Sequence, residues 1–281
     1  MITTKTVRRY YEQNTRMMLR FGSSPQVQTI HRALWPTEVQ TLDEALHYSH
    51  RLLLTEIEQL AQRAGLTSLR IADLGCGVGA SLRYLLTHLQ VPTTAIGITI
   101  SATQAQLAQT HVRQPQSRHT CAVLEADFLA VPLRSGLDAV YSIEAFSHSP
   151  SAADYLAQVA QLLRPGGRLM LIDDFLAPTT IPTHEWVAAY QTGWLVPNVQ
   201  TVSTIAELAQ TVGLRLIAQR ALTPMLRLRA LPNKLAVALL HIGQRLPIRH
   251  AMLPSMLGSM ALQQCLHEGL TEYRWLVFER T

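Results

Sequence analysis

Three glycines at alternate positions, in Ile71-Ala72-Asp73-Leu74-Gly75-Cys76-Gly77-Val78-Gly79-Ala80-Ser81, constrain this chain more than any other stretch. An apolar run ends in an acid, the glycines follow, and a helix-forming segment begins. Residues without a side chain let the backbone turn sharply and approach a ligand closely. The pattern predicts a strand, a loop and a helix that cradle a nucleotide-like molecule. Gly75, Gly77 and Ala80 also satisfy the G-x-G-x-x-A of dinucleotide-binding loops, but that motif asks for an Asp or Glu about 20 residues further on. The second predicted strand, Thr94 to Ile100, ends instead in Thr99-Ile100-Ser101. The acid stands before the glycines, at Asp73, where it repels a pyrophosphate and attracts a cation.

Beyond the glycines, strand and helix patterns alternate. Strands are expected at Leu69, Thr94, Cys121, Asp138 and Arg168, and helices from Ala80, Ala102 and Ala152. Glu125-Ala126-Asp127-Phe128 closes the third strand, Leu137 to Ile143 forms the fourth, and Leu162 to Leu169 reads as a helix end, a Pro-Gly-Gly turn and the start of the fifth. A helix over Thr204 to Val212, a strand over Leu214 to Leu222 and an alternating last strand over Tyr273 to Glu279 complete the series. Such alternation implies right-handed crossovers. The expected fold class is α/β, a Rossmann-like doubly wound sheet, mostly parallel with an antiparallel last strand. Upstream, Val7 to Arg20 is a predicted helix, and Thr41-Leu42-Asp43-Glu44 is a capping box opening another that runs to about Ala64. Residues 1–66 are read as a helical lid segment and 67–281 as the main domain, with cap insertions at about 176–203 and 223–270.

With Asp73 and its glycines, Asp127, the fourth strand and the Pro-Gly-Gly turn in this order, the chain resembles the class I S-adenosylmethionine-dependent methyltransferases, whose first motif reads D-x-G-x-G-x-G. The resemblance covers Leu69 to Phe175 and implies S-adenosylmethionine as cofactor, with S-adenosylhomocysteine as product. It places Asp73, Gly75, Cys76, Gly77 and Gly79 around the cofactor, Asp127 on the adenine amino group and the Phe128 backbone on the ring. Most relatives carry an acid where Thr99 stands. Gly97-Ile98-Thr99-Ile100-Ser101-Ala102-Thr103-Gln104 is instead similar to the G-[IV]-T-[IL]-S-x-x-Q of cyclopropane fatty acid synthases and of sterol and tocopherol methyltransferases. That match implies that Thr99, Ile100, Ser101 and Gln104 serve the cofactor, Gln104 as the ribose ligand. A place on the helix surface is its alternative role.

After the fourth strand, Ser142-Ile143-Glu144-Ala145-Phe146-Ser147-His148 is similar to the E-x-x-x-H segment of the same enzymes. Transfer to a neutral hydroxyl, amine or carbon releases a proton, and imidazole accepts one near neutral pH. His148 is the expected base, with a loop-capping role as its alternative. Glu144 is expected near the sulfonium as base, cation stabiliser or loop organiser. Asp174, from Asp173-Asp174-Phe175 after the fifth strand, orients His148 or the substrate, or faces solvent. Tyr10-Tyr11 and the later His31-Arg32-Ala33-Leu34-Trp35 resemble the lid of the same group. Tyr11, Trp35, Trp186 and Trp194 are expected to touch substrate, although aromatics on helices commonly serve packing.

Between the last two strands Leu231, Leu235, Leu239, Ile242 and Leu246 recur at helical spacing, and Met252, Met256, Leu257 and Met260 extend the apolar theme. Such a stripe is expected to face the core, or to form an adaptable wall for a greasy ligand. No acid occurs between Glu207 and Glu268, whereas Arg215, Arg220, Arg227, Arg229, Lys234, Arg245 and Arg249 all fall there. This stretch suits an anionic lipid surface, a phosphorylated substrate or plain solvation; nucleic acid is disfavoured because stacking aromatics are scarce. The three cysteines lie far apart, so neither a disulfide framework nor a zinc site is expected, and nothing calls for a metal. The first 20 residues lack the apolar core of a signal peptide, and no apolar run approaches a membrane span, so a cytoplasmic protein is expected. The expected activity is methyl transfer to a small, largely hydrophobic metabolite of isoprenoid, quinone or polyketide type. If Arg16, Arg20 and Arg32 converge with the basic stretch, C-methylation of a prenyl diphosphate is the alternative, and a non-catalytic cofactor-binding scaffold is the alternative of another class.

Overall fold

The computed structural model describes residues 2–113, 118–229, 232–245 and 252–281. Helices α1 (Thr4–Gly22) and α2 (Leu42–Arg63) precede the sheet. Thr41 caps α2 as its motif predicts, accepting from the Glu44 N–H while the Glu44 carboxylate accepts from the Thr41 N–H. There follow β1 (Leu69–Leu74), α3 (Ala80–His88), β2 (Thr93–Thr99), α4 (Ala102–His111), β3 (Thr120–Glu125), β4 (Leu137–Ile143), α5 (Ala152–Leu162) and β5 (Leu163–Leu176). The chain then forms α6 (Glu185–Trp194), α7 (Val202–Thr211), β6 (Leu214–Ala221), α8 (Asn233–Arg245), α9 (Met252–His267) and β7 (Thr271–Arg280). The segment Leu163–Gly167, expected as a helix end and turn, is part of β5 because Leu163 pairs with Leu137 across a register shift.

The sheet has the order β3-β2-β1-β4-β5-β7-β6, parallel except that β7 runs antiparallel to both β5 and β6. This is the doubly wound, mostly parallel sheet expected from the alternation. Side chains alternate across it: Ile71, Ala139, Tyr141, Met170 and Ile172 join a core beneath α2, α3 and α4, whereas Ala72, Leu74, Val140, Leu169 and Leu171 join one beneath α5 and α7. Strands buried on both faces read as continuous apolar runs, as these do. The strand order reverses between β1 and β4, so a crevice opens beyond their carboxyl ends.

Helix α1 lies over that crevice, latched to α4 by Glu12, whose carboxylate accepts from the Thr103 hydroxyl and N–H. Helices α6 and α9 pack together at its far wall. Their crossing is set by two glycines: a Cβ on Gly258 would lie 2.8 Å from the Gly193 Cα. The insertion does not behave as its periodicity predicts. Ala236 and Leu240 of α8 are buried, but Leu235, Leu239 and Ile242 are 49%, 41% and 57% exposed and Met256 62%. The core side is filled by small and alternate residues, which leaves the leucine stripe outward. Leu257 and Met260 do pack against the core. Leu231, Leu246 and Arg249, and the side chains of Lys234, Arg245 and Met252, lie outside the described residues. Among the described residues no helix is long and apolar enough to cross a membrane.

Gly258→Val would wedge α6 and α9 apart, and overpacking of this kind costs about 1–3 kcal/mol. Urea denaturation is expected to show the unfolding free energy falling by that amount, through a lower midpoint with an unchanged slope.

Candidate active site

The crevice holds a cavity of about 190 Å³ lined by residues from almost every element around it. Gly75 and Gly77 form one edge, with positive φ of 94° and 52°, and Gly79 caps α3 at 80°. Gly75 has no substitute: a Cβ there would lie 2.3 Å from the Ala145 Cβ, because the glycine loop and the loop after β4 press against each other. On the other side of that contact Glu144, a non-glycine residue, is itself held at φ 51°. Sparsely populated backbone of this kind persists where neighbours over-determine it.

Arg32 supplies the neighbours. Its backbone N–H and its Nε both donate to Glu144 Oε1, each at 3.0 Å. The same guanidinium is bidentate on Asp174, at 3.1 Å and 2.6 Å, and stacks 3.9 Å from the Tyr273 ring. The Tyr273 hydroxyl is a third donor to Glu144 Oε1, at 2.7 Å. Burial pushes the Glu144 carboxyl upward, but Arg32, His31 and the Tyr273 hydroxyl outweigh it and hold the group below the usual range. Glu144 is therefore ionised, with Oε2 as the oxygen bearing no protein donor among the described residues. Asp174, more deeply buried, stays above the ordinary value despite Arg32.

His148 sits on a single 3₁₀ turn, Phe146–His148. Its Nδ1 lies 3.1 Å from the Leu195 carbonyl oxygen and its Nε2 lies 2.8 Å from the Tyr11 hydroxyl. A carbonyl only accepts, so Nδ1 carries the proton, and Nε2 accepts from Tyr11. Burial lowers the imidazole's affinity for a second proton, only partly countered by Leu195 and Glu144. The ring is thus a neutral base with its lone pair turned toward Tyr11. Asp174 does not orient it, as the sequence suggested; Arg32 and the Tyr190 hydroxyl hold Asp174 elsewhere. Asp173 braces the turn instead, accepting from the Ser147 N–H at 3.0 Å, and burial raises its carboxyl to about 7.

Of the other residues singled out in the sequence, Thr99, Ile100, Gln104, Asp127, Phe128, Tyr11 and Trp194 line the same cavity. Gln104 is braced, accepting from the Thr99 hydroxyl at 2.7 Å and donating to Thr15 of α1 at 3.2 Å. Ser101 is the fully buried N-cap of α4. Asp73 and Cys76 are set back, lining an adjoining crevice with Gly75, Gly77 and His31. Asp73 accepts from the Ser81 hydroxyl at 2.5 Å, and burial raises its carboxyl to about 7. Two tryptophans are away from the cavity. Trp186 is buried in the core on the inner face of α6, and Trp35 packs against that core with Arg227 3.4 Å above its ring. From the long insertion only Leu262 reaches the lining among the described residues, and none of the described methionines joins it. Tyr190, Tyr273 and the roles of Asp173 and Arg32 had no local signal in the sequence. Tyr273 arrives through the antiparallel register that sets it opposite Asp174. Among the described residues no group of three or more His, Cys, Asp or Glu side chains is arranged to hold a metal ion.

The family profile described as a methyltransferase domain matches residues 72–171. A 24-methylenesterol C-methyltransferase 2 of Oryza sativa subsp. japonica is 31% identical over 155 residues, 53% of this chain and 42% of that protein, so this chain spans less than half the length of that relative. The O-methyltransferase rstn1 of Aspergillus nomiae is 30% identical over 191 residues, 67% of this chain and 81% of the relative. The cyclopropane synthase MmaA2 from Mycobacterium tuberculosis shares the fold with a TM-score of 0.72 at 20% identity, over 99% of this chain and 98% of that one.

Arg32→Gln leaves the buried Asp174 and the half-buried Glu144 without their cation, which costs about 3 kcal/mol at neutral pH. The loss is expected to shrink in acid, where Glu144 and Asp174 of the variant take up protons, and urea denaturation at two pH values measures the difference.

Proposed function

Because the chain belongs to the S-adenosylmethionine-dependent methyltransferases, we propose that it transfers a methyl group from S-adenosylmethionine to a small, largely hydrophobic acceptor. One observation carries the reading: the glycine loop and the His148–Tyr11 pair face a single cavity whose remaining wall is largely apolar, including Val7, Ile30, Phe128, Ile143, Val196 and Leu262. The residues fit a cationic cofactor. Asp127, Glu144, Asp173 and Asp174 line the cavity against one described cation, Arg32, which two of them already neutralise. When bound, the cofactor supplies a methyl group made electrophilic by its positive sulfur.

The chain's own residues supply orientation and proton removal. His148 Nε2 takes the proton of an acceptor hydroxyl, either directly after the Tyr11 hydroxyl is displaced or through that hydroxyl. Helix α1 and the α6–α9 wall exclude water, which strengthens every charge interaction inside. A diphosphate acceptor would need a free cation, and Arg32 is engaged; this supports a neutral acceptor over the prenyl diphosphate alternative. C-methylation is the second reading, favoured by Glu144. Its ionised carboxylate lines the cavity with no protein donor on Oε2 among the described residues, which suits stabilisation of a carbocation and removal of its acidic C–H proton.

Incubation with labelled S-adenosylmethionine and a panel of phenols, polyketide alcohols, sterols and isoprenoid alkenes tests the activity; no methylated product from any class would count against it. For a hydroxyl acceptor, His148→Asn is expected to lower kcat by about 10²-fold or more while Glu144→Gln acts mainly on KM, and the order reverses for an alkene. The acid limb of kcat for a hydroxyl acceptor is expected below the ordinary imidazole value of 6.5, since activity needs neutral His148 and burial lowers its pKa.

Peripheral contact with anionic lipid belongs to the same proposal. Leu235, Leu239 and Ile242 recur on one exposed face of α8, within a stretch free of acids from Leu208 to His267 and rich in arginine. Co-sedimentation with phosphatidylglycerol vesicles, weakened by salt and absent with phosphatidylcholine, is the expected result. Ile242→Glu should abolish it.

A further inference from the structure

Helix α2 carries His47 and His50 on one face, three residues apart. His50 is fully buried, and His31 from the segment before the helix nearly so. The rings are bonded in series: His47 Nδ1 to His50 Nδ1 at 3.1 Å, His50 Nε2 to His31 Nε2 at 2.8 Å, and His31 Nδ1 to the Arg32 carbonyl oxygen at 3.1 Å. The last partner decides all the protons. A carbonyl only accepts, so His31 carries its hydrogen on Nδ1 and accepts at Nε2. His50 then donates from Nε2 and accepts at Nδ1, and His47 donates from Nδ1. One neutral tautomer of each ring satisfies every joint. The bonds use opposite nitrogens of His50, so the three rings share no centre at which a metal would sit.

The end of this series lies at the glycine loop. His31 lines the main cavity and also the crevice formed with Asp73, Gly75, Cys76 and Gly77. The next residue is Arg32, whose N–H and guanidinium hold Glu144. We propose that the His47–His50–His31 series is a clasp that positions segment 29–32 against the cofactor loop, with His50 as its positioning residue, and that acid opens it. The inference rests on reading the cavity as a cofactor site.

The surroundings favour the neutral state. From α3, Arg83 faces His47 and His50, Tyr84 lies against both rings, and His88 stacks on Tyr84. Asp43 faces His47 from its own helix, and Glu144 and Arg32 face His31. Burial is the largest influence at each ring. It pushes His50 well below the ordinary imidazole value and His47 to about 4 with help from Arg83, and at His31 it outweighs Glu144. A first extra proton, taken at His47 Nε2, leaves every joint satisfied but places a positive charge beside Arg83. A second sets two N–H groups face to face and breaks a joint.

Glutamine offers an amide NH₂ donor and an oxygen acceptor and does not titrate, whereas leucine offers neither, so His50→Gln and His50→Leu separate the two parts of the proposal. S-adenosylhomocysteine affinity is read by calorimetry on the full chain from about pH 8 to about pH 5. The wild type is expected to lose about tenfold more affinity in acid than His50→Gln, which matches it at neutral pH, while His50→Leu is about tenfold weaker throughout. Titration of Asp73 is common to all three chains and cancels in the ratios. Nitrogen NMR of the cofactor-free wild type is expected to show Nδ1–H on His31 and His47 and Nε2–H on His50. Any other tautomer pattern, or three chains with equal affinities and equal acid dependence, overturns the clasp. A wild type that binds no S-adenosylhomocysteine overturns the cofactor reading and with it the clasp's role, a result distinct from binding that ignores His50.

Discussion

The Arg32 guanidinium lies between two carboxylates and over an aromatic ring, and in doing so ties the segment between α1 and α2 to three separated parts of the sheet. Glu144 stands at the end of β4, Asp174 near the end of β5 and Tyr273 near the start of β7. Charges removed from water need close partners and hydrogen bonds on their remaining atoms. Here bidentate geometry, the Tyr273 and Tyr190 hydroxyls and a backbone N–H provide them. The unusual backbone of Glu144 follows from the same contact, and so does the close approach that admits only glycine at position 75.

The clamp also sets the electrical character of the cavity. A guanidinium among four carboxyls leaves a site that is negative even with Asp173 partly protonated. In a low-dielectric enclosure that bias discriminates between ligands more strongly than in water. Two carboxylates near each other do different work because their surroundings differ: Glu144 is held ionised by three donors, and Asp173 is kept near neutrality by burial while it braces the turn carrying His148.

The sheet was legible because its signals are local. Apolar runs alternate with helical patterns, Thr41 and Glu44 announce a helix start, and the glycine loop carries its conformation in four consecutive alternations of residue type. The loop after β4 was legible for the same reason, and both it and the glycine loop line the cavity. What sequence could not give is whatever depends on elements meeting across the fold. Tyr273 is an ordinary strand residue until antiparallel pairing sets it beside Asp174, and Tyr190 sits on a helix that no motif announced. Arg32 looked like a free cation suited to phosphate, yet its partners lie 112 and 142 residues further on. The leucine spacing of α8 correctly gave a helix but not its outward face, because periodicity specifies a stripe and not the direction in which the stripe turns.

Strand β7 enters the sheet between β5 and β6, two elements that leave the ribosome before it. Until it inserts, β5 and β6 each present an unpaired edge, and Glu144 lacks one of its three donors. Assembly of the cavity is therefore a late, long-range event in the life of the chain, slowed by the loop closure such pairings require. A nascent protein would have its glycine turn well before it had a chamber able to retain anything there, so ligand capture and completion of folding are coupled in time.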